Sequence, residues 1–518
     1  MKRWYAPLVV LVVIWLSGWL YVTRYAMLDD ALIHLRYAAW LNQLHTITYD
    51  GVHPTFGASS LLYVGLLAVL RSLTTTALLP KIVSVIFYLA SVGFVLTLIR
   101  RVEGAMAAQL LFVLLLASFL SPMGIRWLTD GMETSLVVVM TLSFAGLAFQ
   151  EAERRSVSAV RYAGLMFFGF LLVLLRIELA ALIALASLAI LALRLESVRT
   201  GSERLRAVIA SSHFSVGAVV AVVGIRLAFG TFLPDTALAK SGSFNPLVVV
   251  PVLRVIVGSF LLGLGALALW IVSAALLLRV YAAQRFPRQA FFAWLYANAP
   301  FPVIFLLAMV RGQSVQGIRY LLWCFLFSIT WNALQLWKEQ RVHLSASASI
   351  VPWLKAVGVV YAIFILCVLP FDWRLGTRAM LGRGATFLEM RSDGLDVFRG
   401  KTVVAGDVGF IGYFSGADVC DTSGLVDGRE QAKRTPAERM SWCANSHPAA
   451  LFVQADQAKR LDDDLPVGQW IACQHVDFRN VEGLDRHYLV VPPEDAESLC
   501  ARFGGPIGAL SEFVPGLR

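Results

Sequence analysis

Two adjacent carboxylates, Asp29 and Asp30, open the segment Leu28-Asp29-Asp30-Ala31-Leu32-Ile33-His34-Leu35-Arg36-Tyr37, just after an apolar run of spanning length. Paired acids beside such a run repel each other and are costly to bury; the arrangement suits a shared proton or a hard divalent cation. On a helix the two would point about 100° apart, so one of them faces any given cavity. Further polar groups recur along the chain: His53, then Asp130-Gly131-Met132-Glu133-Thr134, Arg176-Ile177-Glu178, and Leu233-Pro234-Asp235 running on to Lys240. Arg311, Gln313, Gln316, Arg319 and Tyr320 follow. Taken singly, each also fits a solvated loop charge. Taken together they offer carboxylates able to accept a hydroxyl proton and cations able to neutralise a phosphate.

The elements that must position these groups are apolar helices. The chain has 518 residues, 58% hydrophobic and only 15% charged, well below the roughly one quarter charged residues of soluble proteins. The deficit is uneven: residues 1–370 hold repeated apolar runs, whereas 371–518 read as ordinary globular sequence. Spans are expected near 6–23, 79–99, 105–122, 134–149, 160–175, 179–194, 208–229, 257–279, 289–310, 319–337 and 352–370, about eleven in all. The first, after Lys2 and Arg3, lacks a small-residue cleavage site at its end and reads as an uncleaved helix. Lys and Arg are denser in the loops that hold Arg100-Arg101, Arg154-Arg155, Arg194 to Arg206, Arg279 to Arg288, and Lys338 with Arg341. That asymmetry places those loops and the N-terminus in the cytoplasm, and residues 371–518 outside. It also accounts for the formal charge of +10 without nucleic acid, for which no binding motif is present. Ala58–Leu73 is apolar but short, and counting it as a span would reverse every later loop. It reads as a helix along the outer interface, within an outer loop 24–78.

With this orientation the motifs listed above all fall on the outer side. Residues 371–518 hold strand-like runs, Thr402-Val403-Val404-Ala405 and Tyr488-Leu489-Val490-Val491, among turn residues such as Gly406-Asp407 and Pro492-Pro493. A small α/β domain is expected. Four of the six cysteines, Cys420, Cys443, Cys473 and Cys500, lie there and fit two disulfides with three pairings open. Cys324 and Cys367 fall in helices as packing residues. No Walker loop or dinucleotide-binding glycine motif follows a strand.

The order of these segments resembles the GT-C class of integral-membrane glycosyltransferases over nearly the whole chain, and within it most resembles the arabinofuranosyltransferase B-type branch. Asp29-Asp30-Ala31 is similar to the first outer loop of that class, and Asp50-Gly51-Val52-His53-Pro54-Thr55-Phe56-Gly57-Ala58-Ser59-Ser60 to its lead into an interfacial helix. The branch resemblance rests on Gly131 to Thr134, Arg176 to Glu178, Leu233 to Thr236 with Ala239-Lys240, and Arg319-Tyr320-Leu321-Leu322. It extends to Gly406-Asp407-Val408-Gly409-Phe410-Ile411-Gly412-Tyr413-Phe414-Ser415 and Asp421-Thr422-Ser423-Gly424-Leu425-Val426-Asp427. Relatives often carry Pro where Ile177 stands, and Asn where Asp235 stands.

The resemblance implies a polytopic α-helical membrane protein with a C-terminal extracytoplasmic α/β domain, in a bacterial inner membrane. It implies transfer of one sugar, with arabinofuranose the best match, from a polyprenyl-phosphate donor to a hydroxyl of an envelope glycan or glycoprotein. Asp29 or Asp30 would be the general base. Lys240 and Arg319 lead the candidates for the donor phosphate, followed by Arg36 and Arg311. His53, Glu133, Arg176, Glu178, Asp235, Tyr320, Asp407 and Tyr413 are further substrate-site candidates, Asp407 reading equally as a turn closing a strand. Some members use a divalent cation, magnesium or manganese, which Asp29 and Asp30 would suit. A carrier of lipid-linked sugars and a non-enzymatic envelope-assembly factor are the alternatives. Carriers tend to hold mid-span charges on broken helices in repeated halves, neither of which is legible in this sequence.

Overall fold

Local signals decide where the apolar runs start and stop. Ser60 accepts the Tyr63 amide proton at 3.3 Å and begins the helix Leu61–Arg71. Pro80 stands in the first turn of Leu79–Arg101, where a missing N–H costs nothing. Ser121 precedes Pro122, and a residue before proline is pushed out of the helical region. Ser121 is accordingly extended (ψ 153°), and the chain bends by 75° between Met106–Leu120 and Pro122–Leu128. The expected span 105–122 therefore ends at Leu120 and turns. The run expected at 208–229 is also divided. A Thr200–Glu203 capping box starts a polar helix, Gly201–Ser211, and His213–Phe229 continues at 50° to it.

The computed structural model describes residues 2–517 apart from 155–156, 197, 199, 240–265, 284–287, 304–321, 343–358, 360–369, 371–372, 375, 392–393, 463 and 480–483. Among the described residues, Leu79–Arg101 and Thr134–Glu153 are long and apolar enough to cross a membrane, and each bent pair would add one more. Shorter apolar helices include Leu61–Arg71, Ala159–Leu175 and Leu179–Leu195. The expected span at 352–370 and parts of those at 257–279, 289–310 and 319–337 lie outside the described residues, as do Cys367, Lys240, Arg311, Arg319 and Tyr320.

After the helical body a helix at 376–391 leads into the α/β region. Six strands make one sheet: β1 (Thr402–Ala405), β2 (Asp418–Asp421), β3 (Ala450–Gln454), β4 (Ile471–Arg479), β5 (Leu484–Val491) and β6 (Gly508–Ala509), in the order β2-β1-β3-β5-β4-β6. The first three are parallel, because helices carry the chain across between them; β3, β5, β4 and β6 pair antiparallel. Val404, Leu451, Val453 and Val490 are buried on the sheet. Disulfides join Cys420 to Cys443 and Cys473 to Cys500, tying β2 and β4 to covering helices. Cys324 is a buried free thiol.

Candidate active site

The β1 strand ends at Ala405, and Gly406-Asp407 turn the chain into the helix Val408–Ser415. This short helix packs against Asp29–Leu44, the helix that begins with the acid pair. Two glycines at helical spacing permit the close approach. A Cβ on Gly409 would strike the Asp29 main chain, and one on Gly412 would strike the Tyr49 hydroxyl and the Arg36 guanidinium. The Gly-x-x-Gly spacing within Gly406–Ser415 is therefore a docking surface.

Across this contact the half-buried Asp29 carboxylate accepts the Gly409 amide proton at 2.8 Å and that of Phe410 at 2.6 Å. Two amides at a helix N-terminus draw an anion. Burial, with Asp407 and then Asp30 nearby, opposes them and holds the Asp29 carboxyl well above the usual carboxylate range. Asp407 in turn lies 2.5 Å from the buried His487 Nε2. Asp29, Asp30 and Asp407 thus form an acidic cluster where the helical body meets the sheet domain, with His487 beside it. His487 was not legible as a site residue, since one histidine in a strand-like run carries no spacing signal.

A second layer lies under the acid pair. His34 Nδ1–H donates to the Asp30 carbonyl at 2.9 Å, one turn along the helix, which leaves Nε2 facing Glu133 at 3.9 Å. Glu133 and Arg176 form a buried pair at 2.6 Å, and Arg176 also meets Glu178 at 2.7 Å. Three motifs spread over residues 34–178 so become one network, in which the Glu133–Arg176–Glu178 cluster faces His34 beneath the acid pair.

Other candidates go elsewhere. The buried Arg36 donates to the carbonyls of Tyr49 (2.8 Å), Ala417 (2.8 Å) and Gly412, and lies over the Tyr49 ring. Its guanidinium is spent on joining the domains, so the expectation of a phosphate contact is replaced by a structural one. Asp235 accepts the Phe56 amide at 3.0 Å while its own amide donates to the Phe56 carbonyl, pinning loop to loop. His53 pairs with Asp50 at 2.7 Å and is exposed. The Tyr413 hydroxyl accepts from Arg71 at 3.1 Å. Among the described residues, no group of three or more His, Cys, Asp or Glu side chains has an arrangement able to hold a metal ion. Each Asp29 oxygen already takes one amide proton.

The loop Asp421–Asp427 completes the junction. Asp421 is buried and accepts amide protons from Ser423 (2.7 Å), Val426 (3.0 Å) and Leu425, while Asp427 accepts from the Asp421 amide at 2.7 Å. Burial raises the Asp421 carboxyl to about 6, and burial plus the Asp421 charge raise Asp427. Because the folded protein then binds a proton more tightly than the unfolded chain, this contribution to stability is present below about pH 4 and is lost as pH rises through about 6. The expected loss is on the order of 1–2 kcal/mol, the proton being shared with Asp427. Melting curves between pH 4 and 7 should show the fall in wild type, and Asp421→Asn should flatten it.

The sequence also gave no prior weight to Lys81, Arg126 and Arg383, which line a narrow cleft with Asp130, Thr129, Ala26 and Met380. Lys81 and Arg126 are almost fully buried, and Lys81 Nζ donates to the Thr129 carbonyl at 2.5 Å and its hydroxyl at 3.1 Å. The legible signal was a lone lysine in the first turn of an apolar helix.

Residues 390–492 match a family described as a domain of unknown function (DUF8728). No curated protein matches the chain. The crystal structure of ArnT from Cupriavidus metallidurans bound to undecaprenyl phosphate is similar to this chain with a TM-score of 0.49 and 15% identity, over 93% of this chain and 98% of that one.

Proposed function

We propose that the protein is a glycosyltransferase that moves a single sugar from a polyprenyl-phosphate donor to an acceptor hydroxyl at the outer face of a bacterial inner membrane. The observation that carries this reading is the acidic cluster of Asp29, Asp30 and Asp407, lodged between an apolar helical body and a sheet domain. An acceptor approaching along the sheet domain and a lipid-borne donor lying in the helical body would meet there. A carboxylate of the pair takes the acceptor proton, the hydroxyl oxygen bonds to the anomeric carbon, and the bond from that carbon to the phosphate oxygen breaks. Lys240 and Arg319, with Arg311, are proposed to neutralise the departing lipid phosphate. Their place in the order of motifs supports this. Arabinofuranose and an envelope glycan or glycoprotein are the donor sugar and acceptor favoured by the motif resemblance.

The test is to offer the purified full-length protein a set of polyprenyl-phosphate sugars with a glycan acceptor, and to follow donor consumption by mass spectrometry. One donor should be consumed with matching growth of the acceptor. Binding and transbilayer movement of a donor without consumption would replace the transferase with a carrier. The orientation is checked by single cysteines at two exposed positions, His53→Cys and Glu103→Cys. An impermeant thiol reagent added to intact cells should label the first and spare the second.

A further inference from the structure

We propose that His487 is a positioning residue that holds Asp407 as the group of the acidic cluster that binds a hydroxyl of the acceptor sugar. Resting on the transferase reading, this assigns the acceptor side of the site to the sheet domain.

Asp407 stands just before the helix Val408–Ser415, where an aspartate ordinarily turns its carboxylate onto the amides two and three residues on. It accepts from neither. Those amides, of Gly409 and Phe410, are taken by Asp29 from the helical body. The capping role offered by its position has passed to another residue, and the Asp407 carboxylate turns toward the sheet instead. Gly406 admits this path, since a Cβ there would strike the Gln457 side chain.

The sheet meets Asp407 with a histidine. Along β5, Tyr488 and Val490 pack with Val404, Leu451 and Val453 on one face, so His487 and Leu489 point to the other. On that face Leu489 and Phe452 join the core shared with the helical body. A polar ring in an apolar layer is costly unless its polar atoms are met. The His487 side chain is 1% exposed, lies nearly flat on Phe452 (5.2 Å, 20°) and brings Nε2 to 2.5 Å from Asp407 Oδ2. The Asp407 side chain is 37% exposed, so one side of the carboxylate is fixed by a rigid neighbour while the rest stays accessible. An ionised carboxylate is an acceptor only, with sites for several hydrogen bonds on its two oxygens. It attracts hydroxyl protons and repels a phosphate, which suits it to the acceptor sugar and not to the anionic donor.

Two measurements on full-length protein in nanodiscs test this. The first is equilibrium binding to an array of oligosaccharides with no donor present. Wild type should bind a subset of them, and Asp407→Asn, a change at a half-buried position, should bind these about tenfold more weakly, the difference between a charged and a neutral hydrogen bond. His487→Phe, which keeps the ring but loses Nε2, should show the same loss, and His487→Gln, with an amide nitrogen near that place, should recover most of it. The second is turnover with acceptor and donor varied separately. The acceptor KM should rise by the same factor in Asp407→Asn and His487→Phe while the donor KM stays, a split that a general loss of folding would not give. Should His487→Phe fail to fold, Asp407→Asn and His487→Gln carry the comparison. An array left unbound by wild type, equal acceptor affinity in wild type and Asp407→Asn, or an equal rise of both KM values overturns the assignment. Selective glycan binding that weakens in these variants, in a protein that consumes no polyprenyl-phosphate sugar, would overturn the transferase reading alone.

Discussion

Asp30→Asn is expected to lower sugar transfer by about 10²–10⁴-fold, the usual worth of a positioned general base. Asp30 and Asp29 are successive residues at the start of one helix, but their surroundings separate their roles. Both Asp29 oxygens accept amide protons from the facing helix. An asparagine there would turn its amide group against one of those N–H donors, and the lost acceptor costs about 1–3 kcal/mol. Asp29→Asn should therefore reduce transfer and also destabilise the junction between the helical body and the sheet domain. The decisive comparison is turnover of the donor beside thermal unfolding for each variant in the same membrane mimic. Equal turnover by Asp30→Asn and wild type would remove this residue from the chemistry.

Arg36→Met is expected to destabilise the junction by on the order of 2–3 kcal/mol, since the carbonyls of Gly412 and Ala417 would lose the Arg36 donor, while that of Tyr49 would keep only Trp40 Nε1. Lysine would not restore it, because one ammonium cannot reproduce the planar fork that meets several acceptors. The measurement is limited proteolysis of the link at 376–391 together with hydrogen exchange of the Val408–Ser415 amides. Both should rise in Arg36→Met and in Arg36→Lys. Gly412→Ala should act in the same direction, because its Cβ collides with the same guanidinium and the Tyr49 hydroxyl. Transfer falls in these variants as well, since Asp29 is oriented through this helix. Donor binding, which does not pass through the junction, is expected to persist.

Much of this arrangement was legible in the residues. The apolar runs, the helix start at Pro80, the short helix at 61–71 and the mixed α/β character of the last third follow from local patterns of hydropathy, proline and serine. The acid pair stood out because two carboxylates beside an apolar run are rarely neutral to fold stability. One local signal was misread. The bend at Ser212, between Gly201–Ser211 and His213–Phe229, divides a run that composition alone joins, since hydropathy reports burial and not backbone direction.

By itself the sequence determined which residues are greasy, where helices begin, and that acids and cations recur between them, because those properties depend on neighbours a few positions away. Only the tertiary structure decided what the charges do. Arg36 and Arg383 read alike in the chain, yet one binds three carbonyls at the domain junction and the other reaches a cationic cleft. Asp29 finds its partners 380 and 381 residues away, at the N-terminus of a helix admitted by two glycines. An electrostatic role is set by distances of a few ångströms across the fold, and no local pattern encodes those distances.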